Sequence, residues 1–166
     1  MSRLPILVAL FALASAASAQ SPADSTTVFR HANFGPDWRV TLGQPVAVPQ
    51  AYLDGGMVER VEPGVHQLGF YESFDYGPVL VVVTVRSDYD GLVTSMRFDY
   101  GPEYDFDHER AGYAEMLGPP ARKEVSDDRL MIVWEDGETR FVLVREATPG
   151  GHRSYSEMSD VAGQRL

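Results

Sequence analysis

Apolar and polar side chains alternate with a period of two through the middle of the chain, the pattern of strands with one buried face. The alternation runs over residues 66–71 and returns over residues 92–99. Between them lies the β-branched run Val79–Val85, which is typical of a central strand buried on both faces. Asp90-Gly91 precedes the last segment and is a strong hairpin signal. The pattern predicts three antiparallel strands.

The hydrophobic period lengthens to that of a helix in the next stretch. Its apolar positions form one helical stripe: Phe106, Tyr113, Ala114 and Leu117. Asp107 is suited to cap the start of this helix, and Gly118-Pro119-Pro120 is suited to end it. The pattern predicts a helix over residues 107–117.

Strand patterns resume after this helix. The segments Ala121–Val125, Leu130–Glu135 and Thr139–Arg145 read as strands, and Asp136-Gly137 between the last two is a second hairpin signal. Residues 148–166 show no clear period, so we expect a flexible, frayed tail.

Several glycines and prolines in the N-terminal part of the chain mark the ends of predicted elements. The segment Gly35–Pro45 has Pro near its start and Gly and Pro near its end, which is the asymmetry of a short helix. Residues 46–63 contain Gly55-Gly56 and two prolines, which predicts a loop with room for one strand.

The two halves of the chain share one plan. Leu42–Pro45 and Leu117–Pro120 both read L-G-x-P, lie 75 positions apart and end predicted helices that precede about three strands each. We therefore expect an α+β fold built as a tandem unit. Each unit is a short helix followed by a three- to four-stranded antiparallel meander sheet, over residues 33–105 and 106–147.

The first nineteen residues have the three parts of a secretory signal peptide. Arg3 supplies the positive region, Leu4–Leu13 the apolar region and Ala17-Ser18-Ala19 a small-residue cleavage site. The apolar run is about half of the ~20 residues that a membrane-spanning helix needs. We expect residues 1–19 to be removed on export, residues 20–32 to form a flexible leader, and the protein to be periplasmic or extracellular without a membrane span.

The composition of the chain disfavours some classes of binding partner and excludes cysteine chemistry. The chain has 24 acidic and 14 basic residues, a net charge of −10, which becomes −11 once Arg3 is removed (13 − 24). Such a charge disfavours binding to the phosphates of nucleic acids. The cysteine count is zero, which excludes disulfides, thiolate nucleophiles, cysteine-bound zinc and a lipid-modified cysteine. We therefore expect no nucleic acid partner and no lipid anchor.

The order of these features resembles a known group of exported proteins. A short helix closed by L-G-x-P, a meander with Asp-Gly turns and a strand bearing Trp134 are similar to the small folds of the SmpA/OmlA family. That family contains the small lipoprotein of the outer-membrane barrel assembly machinery, and tandem copies of a similar unit occur in the β-lactamase inhibitor proteins. The resemblance covers residues 33–146 and implies a binding or assembly role without catalysis. No lipobox cysteine is present, so it does not imply the lipoprotein's membrane tether.

The common catalytic motifs are absent. The nearest is His108-Glu109-Arg110-Ala111-Gly112, which lacks the second histidine that a zinc site of the H-E-x-x-H type needs. The four histidines are spread along the chain. We therefore assign no catalytic residue, no metal ligand and no cofactor from the sequence.

One segment is strongly acidic. Between Asp88 and Glu109 there are seven acidic residues against one arginine, with three tyrosines interleaved. Hairpin turns and helix starts favour aspartate for local reasons. The alternative is a surface that docks a basic partner, whose candidate residues are Asp99, Tyr100, Glu103, Tyr104, Asp105 and Asp107.

Three hypotheses for function remain at this level. The first is an exported, non-enzymatic protein-binding or envelope-assembly protein whose sheet face or acidic loops engage another protein with a basic surface. The second is a small secreted hydrolase that uses acidic residues such as Asp105, Asp107 or Glu109 as acid and base. The third is a calcium-binding domain, although Asp88-Tyr89-Asp90-Gly91 has its glycine at position 4 rather than position 6 of an EF-hand loop.

Overall fold

The computed structural model of the protein describes residues 28–161. The predicted signal peptide, the leader up to residue 27 and the last five residues lie outside the described residues.

The described chain is mostly antiparallel sheet with two helices, an α+β fold. The strands are β1 (His31–Asn33), β2 (Arg39–Thr41), β3 (Val58–Glu62), β4 (Val65–Phe74), β5 (Gly77–Ser87), β6 (Val93–Tyr100), β7 (Arg122–Val125), β8 (Arg129–Glu135), β9 (Thr139–Thr148) and β10 (Gly151–Asp160). The helices are α1 (Gln50–Asp54) and α2 (Phe106–Leu117). Strands β1 and β2 form a separate pair, and the others form one eight-stranded sheet.

The large sheet consists of two meanders joined at its middle. Its strand order is β3-β4-β5-β6-β10-β9-β8-β7, and every neighbouring pair is antiparallel. The joint is the pairing of β6 with β10, in which Phe98 lies opposite Ser156. Helix α1 precedes the first meander in the chain, and α2 precedes the second.

The hydrophobic core lies on one face of this sheet. Phe34 of the segment between β1 and β2 packs against Phe70 and Phe98, at ring centroid distances of 6.3 and 6.4 Å. Tyr52 of α1 packs on Trp38, and α2 buries Phe106 and Leu117 in the same core. Both helices and the β1–β2 pair therefore cover one side, the helix face, and we call the opposite side of the sheet the open face.

This one-sided packing corrects the prediction for the valine run. Along β5 the buried residues alternate: Val79, Val81, Val83 and Val85 are fully buried against the helix face. Val82 is half-buried and Leu80 is exposed, because both belong to the open face. The expectation that the strand is buried on both faces was wrong.

Both predicted Asp-Gly hairpin turns are confirmed. Asp88 accepts hydrogen bonds from the backbone of Asp90 and Leu92, and Asp136 accepts them from Glu138 and Thr139. The glycine of each turn has a positive φ, 77° at Gly91 and 90° at Gly137, a conformation that costs glycine little.

Helix α2 is also confirmed, with a different cap. It begins at Phe106, and the side chain of Asp105 rather than Asp107 accepts from the backbone N–H of His108 at 3.0 Å. Gly118, at φ 77°, ends the helix, and its carbonyl accepts a hydrogen bond from Trp134 Nε1.

The predicted helix over Gly35–Pro45 was wrong. Its residues form a turn and strand β2, because Trp38, Val40 and Leu42 are all buried at an interval of two. The region predicted as a loop, 46–63, contains the short helix α1 as well as the strand β3.

The predicted flexible ends were wrong where they are described. Residues 151–160 of the predicted tail form β10, in the middle of the large sheet between β6 and β9. At the other end, Val28 is buried, donates its N–H to Asp136 and is followed by strand β1. Residues 28–32 are therefore part of the fold.

Candidate functional site

The six predicted partner-binding residues do not form one surface. Asp99 lies opposite Val82 and Tyr155 in the sheet, which places its side chain on the open face. Tyr100 follows it in the strand and points to the helix face. The other four lie in the turn after β6 and at the start of α2.

Of the two predicted tyrosines, Tyr104 is buried and Tyr100 is half-buried with its hydroxyl engaged inside the fold. The rings of Tyr100 and Tyr104 stack in parallel, 3.9 Å apart, beneath α2. The hydroxyl of Tyr100 shares a 2.7 Å hydrogen bond with Ser156 Oγ, and Tyr104 is only 8% exposed. Neither ring can supply contact area at the surface without a rearrangement of the core.

The acidic residues around the start of α2 have mostly local partners. Asp105 is the N-cap, as described above. Asp107 pairs with Arg145 at 3.0 Å and with Arg110 at 3.4 Å. Glu103 is exposed in the turn. Of the six predicted residues, Glu103, Asp105 and Asp107 are exposed acidic side chains on this side of the molecule, and Asp105 and Asp107 have local partners.

Asp99 is the centre of a charged cluster on the open face. Arg97 donates to both of its carboxylate oxygens, at 3.0 and 2.9 Å, and Arg153 donates to one of them at 2.6 Å. Burial acts to raise the pKa of Asp99, but the hydrogen bonds from the two arginines outweigh it and hold the pKa below its usual value. The carboxylate is therefore ionised and fixed between two guanidinium groups.

Tyr155 extends this cluster across four strands. The Arg97 guanidinium lies 3.6 Å from the centre of the Tyr155 ring, a cation–π contact. The Tyr155 hydroxyl accepts from Arg129 at 3.1 Å and donates to Glu146 at 3.3 Å. These six residues, Arg97, Asp99, Arg129, Glu146, Arg153 and Tyr155, are the open-face cluster. It spans the joint between the two meanders.

Sequence reasoning missed Arg153 and Tyr155 because they lie in the segment that was predicted to be a frayed tail. A weak signal was present, since Arg153, Tyr155 and Glu157 alternate with Ser154, Ser156 and Met158. Because serines occupy the inward positions, the segment does not show the alternation of apolar and polar residues that marks a strand.

Apolar side chains lie beside the open-face cluster. Tyr71 and Leu80 face each other across β4 and β5, and they are 62% and 38% exposed. Met131 and Val142 on the other meander are half-buried. The open face thus combines fixed charges with accessible aromatic and aliphatic area.

A second group of polar side chains lies between the sheet and α2. Its members are Glu72, Tyr76, Tyr100, Tyr104, Glu109 and Tyr113, which we call the carboxylate–tyrosine cluster. Burial, helped by the charge of Glu109, raises the pKa of Glu72 to about 7. Burial also raises the pKa of Glu109, against the lowering effects of His108 and of a hydrogen bond from Tyr76.

Glu72 should make stability depend on pH. Its pKa is higher in the folded state than the ordinary value of 4.5, so folding is favoured while it is protonated. The contribution of Glu72 to the free energy of unfolding is fully present below about pH 4.5 and is lost as pH rises through 7. This loss amounts to at most about 3 kcal/mol. Glu72→Gln keeps the group neutral and should weaken the fall in unfolding free energy, measured by urea titration between pH 5 and pH 8.

The control for this experiment is Glu115→Gln, because Glu115 is exposed on α2. That variant should show the same pH dependence as the parent. Equal pH dependence of the parent and Glu72→Gln would contradict the burial of this carboxylate.

The geometry offers weaker support for acid–base catalysis. Asp105 and Asp107, two of the carboxylates proposed for a hydrolase, are engaged in the helix cap and in ion pairs. Glu109 retains a raised pKa, but a catalytic pair needs a concave pocket in which both groups meet the substrate. A depression among the described residues lies elsewhere, at the β7–β8 hairpin, where Glu124 is the one carboxylate in its lining.

Among residues 28–161, neither helix has the length and apolar character to cross a membrane. Comparison with protein-family models, with curated proteins and with solved structures finds no match. Function is therefore argued from the geometry of this chain.

Proposed function

We propose that the protein is an exported, non-enzymatic binding or envelope-assembly protein that engages another protein through the open face of its sheet. The observation that carries this proposal is the open-face cluster. It presents three arginines, held in place by Asp99, Glu146 and the buried ring of Tyr155, on a sheet face that no described helix covers.

The residue types of the cluster suit protein recognition. Tyrosine and arginine are enriched among the residues that dominate binding energy at interfaces, and on this face the accessible ones are Tyr71 and the arginines, since Tyr155 is only 7% exposed. Arg97 is held by Asp99 and stacked on Tyr155, so it has little conformational freedom left to lose on binding. Tyr71 and Leu80 add apolar area near the cluster.

The outline of the open face sets an upper limit on an interface there. Eight strands spaced by ~4.8 Å give a width of about 34 Å, and a strand of eight residues such as β6 is about 26 Å long, whereas β3 and β7 have five and four residues. The outline of at most about 900 Å² is of the order of the ~800 Å² per partner in a standard protein–protein interface.

The charge of the chain favours a partner with a basic surface. A net charge of −11 after removal of Arg3 would steer an oppositely charged protein toward it. Glu103 and Asp107 add to this field from the helix side of the molecule, whereas the open-face cluster has three arginines against two carboxylates, so the attraction acts at long range rather than at the contact face. The steering should weaken as salt rises, because the Debye length falls to ~8 Å at physiological ionic strength.

We also propose that the fold is a tandem repeat of a helix and a four-stranded meander. The order of elements supports this, since α1 precedes β3–β6 and α2 precedes β7–β10. The edge strands β3 and β7 are the first strands of the two meanders, and their last strands pair in the middle. The order agrees with the resemblance to the SmpA/OmlA family and the β-lactamase inhibitor proteins in the second half, where Leu117–Pro120 ends α2, but not in the first half, where Leu42–Pro45 follows β2 rather than a helix.

The experiment is affinity capture from a native envelope extract on the immobilised exported protein. Arg153→Ala and Tyr71→Ala alter exposed side chains of the open face and should reduce capture of the partner at least tenfold. The matched control is Met116→Ala, because Met116 is 51% exposed on α2 at the opposite side of the sheet. Circular dichroism checks that all three variants are folded.

Capture that is equal for the open-face variants and the parent would contradict the proposed binding face. The exported location is tested on the same preparation, since its intact mass should lack residues 1–19. A full-length mass in the envelope fraction would contradict processing and export.

A further inference from the structure

Three side chains of metal-ligand type meet at the end of the sheet where α2 begins. Asp75 lies between β4 and β5, whereas His108 and Glu109 lie in the first turns of α2. The His108 Nε2 atom is 3.2 Å from Asp75 Oδ2, and one ligand atom from each of the three residues lies within 4.8 Å of the others. The fold thus brings together residues more than thirty positions apart.

The separations are close to those of a bound metal ion. A tetrahedral zinc ion with bonds of about 2.0–2.2 Å places its ligand atoms about 3.4 Å apart. The longest separation here would need to shorten by at most about 1.4 Å, which rotations of exposed side chains can provide. His108 and Asp75 are 53% and 70% exposed, so such rotations meet little packing resistance.

No lysine or arginine among residues 28–161 forms an ion pair with Asp75 or Glu109. Asp105 adds a third carboxylate that acts on Glu109 together with Asp75. Arg110 and Arg145 pair with Asp107 instead. Asp75 pairs with His108. A divalent cation would neutralise this local charge.

Tyr76 positions two of the three ligands. Its ring meets the His108 ring edge-on at 5.5 Å, with an angle of 75° between the planes. Its hydroxyl donates a hydrogen bond to Glu109. Neighbours of this kind commonly orient the ligands of metal sites.

A buried hydroxyl near Glu109 is incompletely satisfied. Tyr104 is 92% buried and coupled electrostatically to Glu109, and its hydroxyl meets the criteria of a good hydrogen bond with no described residue, although the Tyr100 hydroxyl acts on it as a weak partner. Three protein ligands leave one position of a tetrahedral ion to water. A water molecule brought by the ion would be available as a further partner in this region.

We propose that Asp75, His108 and Glu109 bind a divalent transition-metal ion of the zinc class. The imidazole of His108 indicates which class of metal ion binds. Imidazole and carboxylate ligands together suit zinc, whereas calcium takes oxygen ligands. The ion would join the β4–β5 turn to α2, two elements that are otherwise linked by side-chain packing, the Asp75–His108 ion pair and the Tyr76–Glu109 hydrogen bond. The site lies on the other side of the sheet from the open-face cluster, so it goes beyond the proposed binding function.

The test is calorimetric titration of the full chain with zinc chloride after treatment with a chelator, alongside a titration with calcium chloride. We expect one zinc ion per chain, bound in the micromolar range or tighter, and a zinc-dependent rise in melting temperature. His108→Ala and Glu109→Gln should each weaken zinc binding at least tenfold. Calcium should not produce the same rise.

The matched controls are His152→Ala and Glu115→Gln. The first removes an exposed histidine of β10, and the second removes an exposed carboxylate of α2 that lies outside the site. Both should bind zinc as the parent does. The proposal is overturned if the parent binds no zinc below 100 μM, if His108→Ala binds it as tightly as the parent, or if calcium binds equally well. Circular dichroism of each variant separates loss of the site from loss of the fold.

Discussion

Val83→Asp is expected to unfold most of the protein at 25 °C. Val83 is fully buried on the helix face of β5, between Leu68 and Phe98 of the neighbouring strands. An aspartate there would be an unpaired charge in an apolar core, which costs several kcal/mol. Because domains of this size are stable by only about 5–15 kcal/mol, such a cost removes much of the folded population. Circular dichroism and a urea titration measure it.

Val82→Asp is the matched control, since it introduces the same side chain one position away. Val82 lies on the open face opposite Asp99, where water reaches it, so we expect a loss of about 1–2 kcal/mol and a folded protein. From the valine run alone, Val82 would be expected to be as sensitive as its neighbours. Equal losses for the two variants would contradict the division of the sheet into a helix face and an open face.

Trp134→Ala should lower the free energy of unfolding by about 3–5 kcal/mol, as expected for a large core aromatic. Trp134 is 2% exposed and packs against Phe141 and Tyr113, at centroid distances of 5.8 and 6.3 Å. Its Nε1 atom donates to the Gly118 carbonyl at 3.0 Å, so the substitution also removes the partner of a helix-ending residue.

The reference for Trp134→Ala is Tyr89→Ala, because Tyr89 is fully exposed in the β5–β6 turn. That variant should change the unfolding free energy by less than about 0.5 kcal/mol. A loss below about 1 kcal/mol for Trp134→Ala would mean that the ring is not packed as described.

Local patterns were sufficient to predict much of the large sheet. Alternating residues and Asp-Gly turns identified β4 to β6 and β8 to β9, and an apolar stripe identified α2. Where the prediction failed, two signals competed. Gly and Pro around Gly35–Pro45 suggested a helix, but the interval of two among its large apolar residues, Trp38, Val40 and Leu42, was the signal that decided the structure.

Strand β10 could not be recognised because polar side chains occupy inward positions. Ser154 and Ser156 point toward the helix face, where Ser156 provides the hydrogen-bond partner of Tyr100. A buried serine is tolerated when its hydroxyl is satisfied in this way. A hydrophobicity pattern cannot register that condition, since the partner lies 56 positions away.

The same limit applies to the predicted docking residues. The density of acidic residues was visible in the sequence, but the partner of each carboxylate was not. Asp99 of β6 pairs with Arg153, 54 positions away in the chain. Asp107 of α2 pairs with Arg145 of β9. Charge density along the chain therefore located the acidic segment correctly but gave no information about which of its residues remain exposed.

The central position of β10 has a consequence for the order in which the protein can fold. Each meander up to β9 can form from contacts between successive strands, but the two halves join only when the last strand enters between β6 and β9. Contacts of such long sequence separation slow folding. Until β10 is available, β6 and β9 are open strand edges of the kind that pair with other chains. A chain whose β10 has yet to emerge from the ribosome is therefore most exposed to misassembly.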